Sequence, residues 1–340
     1  MTQPDQVAEA IMVADAYIES KNYQRAREVL RQVLAEHPDD PGLLAHNARA
    51  EFLLGDHAQA ASIAYAALSA APHDELAMRI YTLALDGQGR GPEAIWMAWR
   101  TVTQHPNEAL SHRLYARVLQ KAHRYRDALI EVDEALRLSP ADVDTLVLRG
   151  TILHDLGHIA ESSTAYERAL ALDPGNAEAQ NNLAVNRLRG KKFGHALRGF
   201  LGAAGSDPTL GNLVRRNIGA VLATILRRVT VLALVVGILS AFVGSPHDAD
   251  FRSVLLRVLT AMGVVVLIGN FVWLLRAVPR RTFVSAARTR AGVVVRIVHA
   301  AVAVAVGACA VVFDGPAWTI PGGVFVAVTG LFIVRFGLFL

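Results

Sequence analysis

Proline returns every 34 residues, at Pro38, Pro72, Pro106, Pro140, Pro174 and Pro208. A residue with no amide N–H cannot continue a helix. Its recurrence without drift therefore marks six copies of one unit, each ending its second helix at the same place. A unit of this length holds a helix–turn–helix and cannot bury its apolar face alone. Copies must stack, and stability comes from the interfaces between neighbours. The expected fold is all-α: a solenoid of antiparallel helix pairs over the first 210 residues, a binding scaffold rather than a catalyst.

Setting proline at position 32 divides the chain into repeats 7–40, 41–74, 75–108, 109–142, 143–176 and 177–210, after a tail of residues 1–6. Position 8 then reads Ala14, Ala48, Thr82, Ala116, Gly150 and Ala184, and position 20 reads Ala26, Ala60, Ala94, Ala128, Ser162 and Ala196. Position 27 reads Val33, Ala67, Thr101, Ala135, Ala169 and Ala203. Small side chains at these places let two antiparallel helices approach closely. Position 24 carries the larger knob between layers: Leu30, Ala64, Ala98, Val132, Tyr166 and Phe200. Position 17 opens the second helix with Tyr23, His57, Gly91, Tyr125, Ile159 and Phe193.

This pattern resembles the tetratricopeptide repeat (TPR) family over about three fifths of the chain. Repeat five, ending Glu167-Arg168-Ala169-Leu170-Ala171-Leu172-Asp173-Pro174, lies nearest the family consensus. Repeats two and three depart from it. Asn47 and Glu51 stand where the family is usually apolar, and Gly87, Gly89, Gly91 and Pro92 crowd the turn of repeat three. The resemblance implies a scaffold that holds a protein partner, with no enzyme activity and no cofactor. In the family, positions 2, 5, 9 and 12 of each first helix line the concave groove. That places Arg79 and Arg113 at position 5 and Arg49 and Arg117 at position 9, with Lys121 at position 13 extending the patch. The Lys/Asn clamp of the chaperone-binding subclass is not reproduced, since its equivalents are Ala45, Arg49, Ile80, Leu110 and Leu114. Starting one repeat later gives Arg79, Leu83, Leu114, Asp144 and Leu148. The implied ligand is an acidic or phosphorylated segment of a protein partner, held by bidentate arginine contacts. The alternative is a solvated face whose arginines pair with neighbouring acids.

Composition changes at about residue 210. Residues 1–208 hold 21 Lys+Arg against 27 Asp+Glu, a net of −6; the remaining 132 hold 13 Arg and three Asp, a net of +10. The basic total averages two parts of opposite sign and argues against nucleic-acid binding. In the second part the arginines flank four apolar runs, at about 229–244, 258–275, 297–313 and 320–334 within a domain over 229–340. A crossing helix needs roughly 20 residues, with about 17 as the lower bound. Four transmembrane helices are expected, the first and last lengthened by snorkelling arginines. Residues 211–228 form a juxtamembrane helix with an apolar stripe, which either caps the last repeat or grips anionic lipid.

The segment between the second and third runs carries Arg276, Arg280, Arg281, Arg288, Arg290 and Arg296 without an acid, and Arg227 and Arg228 precede the first run. Asp248, Asp250 and Asp314 fall in the other two loops. The positive-inside rule then makes the basic loop, the solenoid and the C-terminus cytoplasmic. Arg227, Arg228, Arg280, Arg281, Arg288 and Arg290 face anionic headgroups. No signal-peptide pattern opens the chain. The localisation expected is the inner membrane, multi-pass, and the Ala/Val/Arg/Gly-rich composition suggests a bacterial source.

Chemistry-bearing motifs are sparse. Cys309 is the only cysteine, inside the third run, and reads as a packing residue. His154 and His158 are four apart, but Gly157 interrupts them at a turn, so no metal site is expected. Asn270 and His299 lie within apolar runs, where the expected role is inter-helix hydrogen bonding or a position near the membrane interface. Small residues at Ala301, Ala305 and Cys309, and at Gly323 and Ala327, suit tight helix packing within the chain or in a homo-oligomer. The reading is a membrane-anchored scaffold that recruits or assembles a partner. The alternatives are a TPR-regulated subunit of a transporter or membrane enzyme, and a co-chaperone or secretion-assembly factor.

Overall fold

A computed structural model of the chain describes residues 3–206, 211–243, 251–277, 291–313 and 319–336, which are α-helical with no strand. The first ten helices are α1 (Gln3–Glu19), α2 (Tyr23–Leu34), α3 (Pro41–Leu53), α4 (His57–Ala70), α5 (Glu75–Gly87), α6 (Gly91–Gln104), α7 (Ala109–Lys121), α8 (Tyr125–Leu138), α9 (Val143–Asp155) and α10 (Ile159–Leu172). Repeat six gives α11 (Ala177–Arg189) and α12 (Phe193–Ser206). Every second helix begins at position 17 of its repeat, as the 34-residue spacing predicts. From repeat two onward every first helix begins at position 1, whereas α1 starts earlier and draws residues 3–6 into the helix. The described repeat prolines stand in the turns between repeats, and Pro208 lies outside the described residues.

The turn inside each repeat is one device used six times. Position 15 takes a positive φ in every copy: Lys21, Gly55, Gly89, His123, Gly157 and Lys191. The next amide reaches back to the carbonyl five residues earlier, for example Asn22 to Tyr17 at 2.8 Å, Arg124 to Leu119 at 2.9 Å and His158 to Leu153 at 2.8 Å. This is a Schellman cap, which satisfies the helix-end carbonyls and favours glycine. Three repeats place a larger residue there, and left-handed backbone costs such residues about 1–2 kcal/mol. Lys21→Gly should accordingly raise the stability of the repeat array by about 1 kcal/mol, read as a higher urea midpoint. An unchanged midpoint would mean that Lys21 carries no strain. At the other end of the unit, Asp40, Asp74 and Asn176 accept from the amides of Leu43 (2.8 Å), Ala77 (2.7 Å) and Ala179 (2.9 Å), and so start the next first helix.

The small positions are buried as expected. Ala14, Ala48, Thr82, Ala116, Ala26, Ala60, Ala94, Ala128, Ala135 and Ala169 are all essentially inaccessible, as are the knobs Leu30, Ala64, Val132, Tyr166 and Phe200. Gly150 explains why repeat five carries the bulkiest knob of the first five repeats. A Cβ at residue 150 would lie 2.5 Å from Cε1 of Tyr166, so the absent side chain is the room the ring occupies. Core clusters run through successive repeats; one joins Ala98, Tyr115, Leu119, Val132, Leu148 and Ile152 from repeats three to five. The polar departures of repeat two are buried too. Glu51 is held by Arg31 at 2.8 Å and Arg27 at 3.5 Å, both from the preceding second helix. A charge at that place is tolerated because the neighbouring repeat neutralises it.

Four apolar helices follow: α13 (Gly211–Val243), α14 (Phe251–Ala277), α15 (Ala291–Val312) and α16 (Thr319–Phe336). Three are long and apolar enough to cross a membrane, over Arg216–Val243, Val254–Leu274 and Gly292–Val312; the fourth offers the shorter stretch Thr319–Arg335. Four full crossings were expected. The last is described over Thr319–Phe336 only, with residues 314–318 and 337–340 on either side outside the described residues. The chain divides into two compact units, Met1–Pro174 and Gly175–Leu340. Composition changes at about residue 210, whereas packing divides earlier. Repeat six buries Ala196, Leu197, Phe200 and Ala203 against Ile218, Val221, Leu222 and Ile225 of α13. That helix continues without a break into the first apolar run.

Candidate functional site

Of the five cations assigned to the first-helix face, four are already in ion pairs. Arg49 meets Asp15 of the preceding repeat at 3.2 Å, and the same carboxylate lies 3.0 Å from His46. Arg79 lies 2.6 Å from Glu75, one turn earlier on its own helix, in a close contact whose angle does not make a hydrogen bond. Arg113 bridges Asp142 at 2.9 Å, the last residue of its own repeat, and Asp144 at 3.2 Å in the next, and Lys121 reaches back to Asp86 at 2.6 Å. No two of these cations share a partner, so they form separate links rather than a single cluster. Most join first helix to first helix across a repeat seam, as do Ser111–Glu75 at 2.5 Å and Gln120–Asp155 at 2.9 Å.

Arg117 differs. It is exposed and, among the described residues, has no ion-pair partner. Helical spacing of four puts Arg113, Arg117 and Lys121 on one stripe of α7, with Leu110 at its start 43% exposed. This stripe is the part of the expected groove that presents charge and an apolar contact together. Elsewhere the perturbed groups have local causes. Burial pushes the Tyr115 hydroxyl up, with Glu131 adding and Arg124 opposing. A hydrogen bond from Arg90 holds Glu93 below the usual carboxylate range, and Arg137 does the same for Glu134. Among the described residues no three His, Cys, Asp or Glu side chains gather into a metal-binding group.

One surface escaped the sequence reading. Tyr65 and Trp99 at position 25 and Trp96 and Ile130 at position 22 are half or more exposed, on the second helices of repeats two to four. Arg100 lies over the Trp96 ring at 5.8 Å. The signal was available, because large apolar residues at positions 22 and 25 fall outside the buried set at 20, 24 and 27.

In the second unit the basic residues divide by element. Arg228 stacks over Phe193 of α12 at 4.7 Å, while Arg227 and Arg276 are exposed. Arg280, Arg281, Arg288 and Arg290 lie outside the described residues. His299 is buried, and its Nε2 is 2.9 Å from the Val326 carbonyl, linking α15 to α16 as expected of an inter-helix hydrogen bond. Asn270 instead donates to Val266 of its own helix at 2.8 Å. Thr230, Ser240 and Thr260 likewise bond the carbonyl four residues back, so their hydroxyls need no water. Helices α13 and α16 approach closely at glycine. A Cβ on Gly323 would lie 2.5 Å from the Gly237 carbonyl oxygen.

Comparison with known proteins identifies repeats of this kind in two stretches of the chain. A tetratricopeptide repeat model matches residues 17–77, and a second TPR repeat model matches residues 150–185. The solenoid is a tetratricopeptide repeat array. Solved structures share its fold at low identity. The TPR array resembles the Cut9–Hcn1 hetero-tetramer of the APC/C (TM-score 0.57, 16% identity, 63% of this chain and 43% of that one). It also resembles Pseudomonas aeruginosa pilF (0.52, 16%, 61% and 94%) and yeast Tom70 (0.51, 17%, 64% and 46%). The chain thus spans under half the length of the Cut9 and Tom70 chains. No curated protein matches the sequence. TPR arrays are protein-interaction scaffolds, and three long apolar helices in the same chain suggest membrane association.

Proposed function

We propose that this protein is a membrane-anchored scaffold whose TPR array takes a protein partner on the cytoplasmic side and holds it at the membrane. One observation carries the reading: α13 is a single helix of 33 residues whose first half packs on the last repeat and whose second half is a membrane-length apolar run. A rigid helix that begins as the cap of a binding array and ends in hydrocarbon is what a tether requires. The arginine asymmetry favours the array and the C-terminus on the cytoplasmic side of an inner membrane. Arg227, Arg228, Arg280, Arg281, Arg288 and Arg290 would then meet anionic headgroups.

The partner segment best suited to the first-helix face is acidic or phosphorylated. Arg49, Arg79, Arg113 and Lys121 would exchange their carboxylates for it, and Arg117 would join directly. Exchange is feasible because the pairs are partly solvated, the cations being 20–59% exposed, and ion pairs in contact with solvent contribute only about 0–1 kcal/mol each. Binding should weaken as salt rises, and Arg113→Ala with Arg117→Ala should reduce affinity at least about tenfold while leaving helix content unchanged. Pull-down from membranes, followed by titration of the captured partner against both forms, measures this. A partner that binds the double variant as tightly as the parent excludes this face.

A further inference from the structure

Within the second unit, α13, α14 and α15 leave a crevice of about 220 Å³ between them. Its lining is apolar apart from Asn270 of α14: Leu226 and Val229 from α13, Leu267 and Phe271 from α14, Ile297 and Ala301 from α15 among others. From Leu267 to Leu274, and from Ile297 to Val304, it follows the helices for about 10 Å. None of the described arginines lines the crevice, but three stand at the level of one end: Arg227 one residue after Leu226, Arg276 two after Leu274 and Arg296 one before Ile297.

The arginine end and the apolar floor ask for a ligand with an anion at one end and hydrocarbon at the other. Helices α13 to α16 contain no acid at all. The three aspartates of this part follow the far ends of α13 and α15, at least about 24 Å along the helix from Arg227 or Arg296. An aliphatic groove that opened only to lipid tails would need no charge at its end, and a soluble anion would need no groove. We propose that the crevice binds one acyl chain of an anionic phospholipid whose phosphate is held by Arg227 and Arg296, with Arg276 at the mouth. This rests on the membrane-anchored reading. It adds a specific lipid seat to the general attraction of basic loops for headgroups.

The test uses the full chain, purified in detergent and exchanged into mixed micelles carrying phosphatidylglycerol or phosphatidylcholine of equal chain length. Retained lipid is counted by mass spectrometry. Phosphatidylglycerol should be held at least about tenfold more tightly, given roughly 1 kcal/mol per arginine near an anionic headgroup. Inorganic phosphate should not displace it. Ala301→Phe, at an exposed crevice-lining residue, should block retention by filling the groove. Arg227→Gln should abolish the preference while leaving residual binding of both lipids. Equal retention of the two lipids, displacement by phosphate, or retention unchanged in both variants overturns the site. Alkaline carbonate extraction separates this from the underlying reading. A chain released from membranes at high pH sinks the anchoring itself, whereas one that stays embedded but does not discriminate lipids sinks only the crevice.

Discussion

Tyr166→Ala should cost the repeat array about 3–5 kcal/mol, the range for removing a fully buried aromatic side chain. The ring is 1% exposed, fills the space left by Gly150, and donates its hydroxyl to Thr151 Oγ1 at 3.2 Å. Gly150→Ala approaches the same contact from the other side. Its Cβ would collide with the ring at 2.5 Å, an overpacking cost of about 1–3 kcal/mol. Because the two changes compete for one space, Gly150→Ala with Tyr166→Ala should cost less than the sum, by about 1 kcal/mol or more. Urea unfolding of the array with the two single variants and the double variant reads all three quantities. Strict additivity would mean that glycine at position 8 and the knob at position 24 are independent.

Gly323→Ala should destabilise the apolar helices strongly, because what it meets is backbone. The added carbon would lie 2.5 Å from the Gly237 carbonyl and 2.6 Å from the Ala241 amide nitrogen. Both atoms belong to α13 and cannot rotate aside as a side chain would. The helices must separate, at a cost of about 1–3 kcal/mol or more. Gly269 provides the control, since a Cβ there meets nothing within 4 Å. Gly269→Ala should be neutral or stabilising, by up to about 1 kcal/mol from helix propensity. In a detergent melt of the full chain, Gly323→Ala should lower the midpoint by several degrees and Gly269→Ala should not. Equal effects would show that the α13–α16 crossing is looser than its geometry.

These two glycines show what a sequence can and cannot disclose. Gly150 was legible as one of six small residues at position 8, because the 34-residue period aligns it with five others. That its partner is Tyr166 came only from the packing. Gly323 was legible only as part of a small-residue stripe. Nothing in a single apolar helix says which neighbour it faces, so the pairing with Gly237 had to come from packing. The positive φ at position 15 was half visible: Gly55, Gly89 and Gly157 advertise it, whereas Lys21, His123 and Lys191 conceal it. The cations of the first-helix face were placed correctly on their helices. Pairing with neighbouring acids was the alternative the sequence left open; which acids was not legible, because Asp15, Asp86 and Asp144 come from neighbouring repeats. The length of α13 was anticipated only as a cap that continues into a crossing, since its stripe at 218–226 and its apolar run read as separate patterns. Thr319 reads as an outer-loop residue in the sequence, yet the fold buries it, so it is unsuited to surface labelling.

Membrane anchorage with the repeat array inside is tested most directly by cysteine labelling in intact cells. Cys309→Ala removes the native thiol, and Ser245→Cys and Ser285→Cys then place single probes in the first acidic loop and in the basic segment, both outside the described residues. The expected result is that a membrane-impermeant maleimide labels Ser245→Cys from outside, and Ser285→Cys only after permeabilisation. Labelling of Ser285→Cys from outside would invert the orientation and put the TPR array on the wrong side of the membrane.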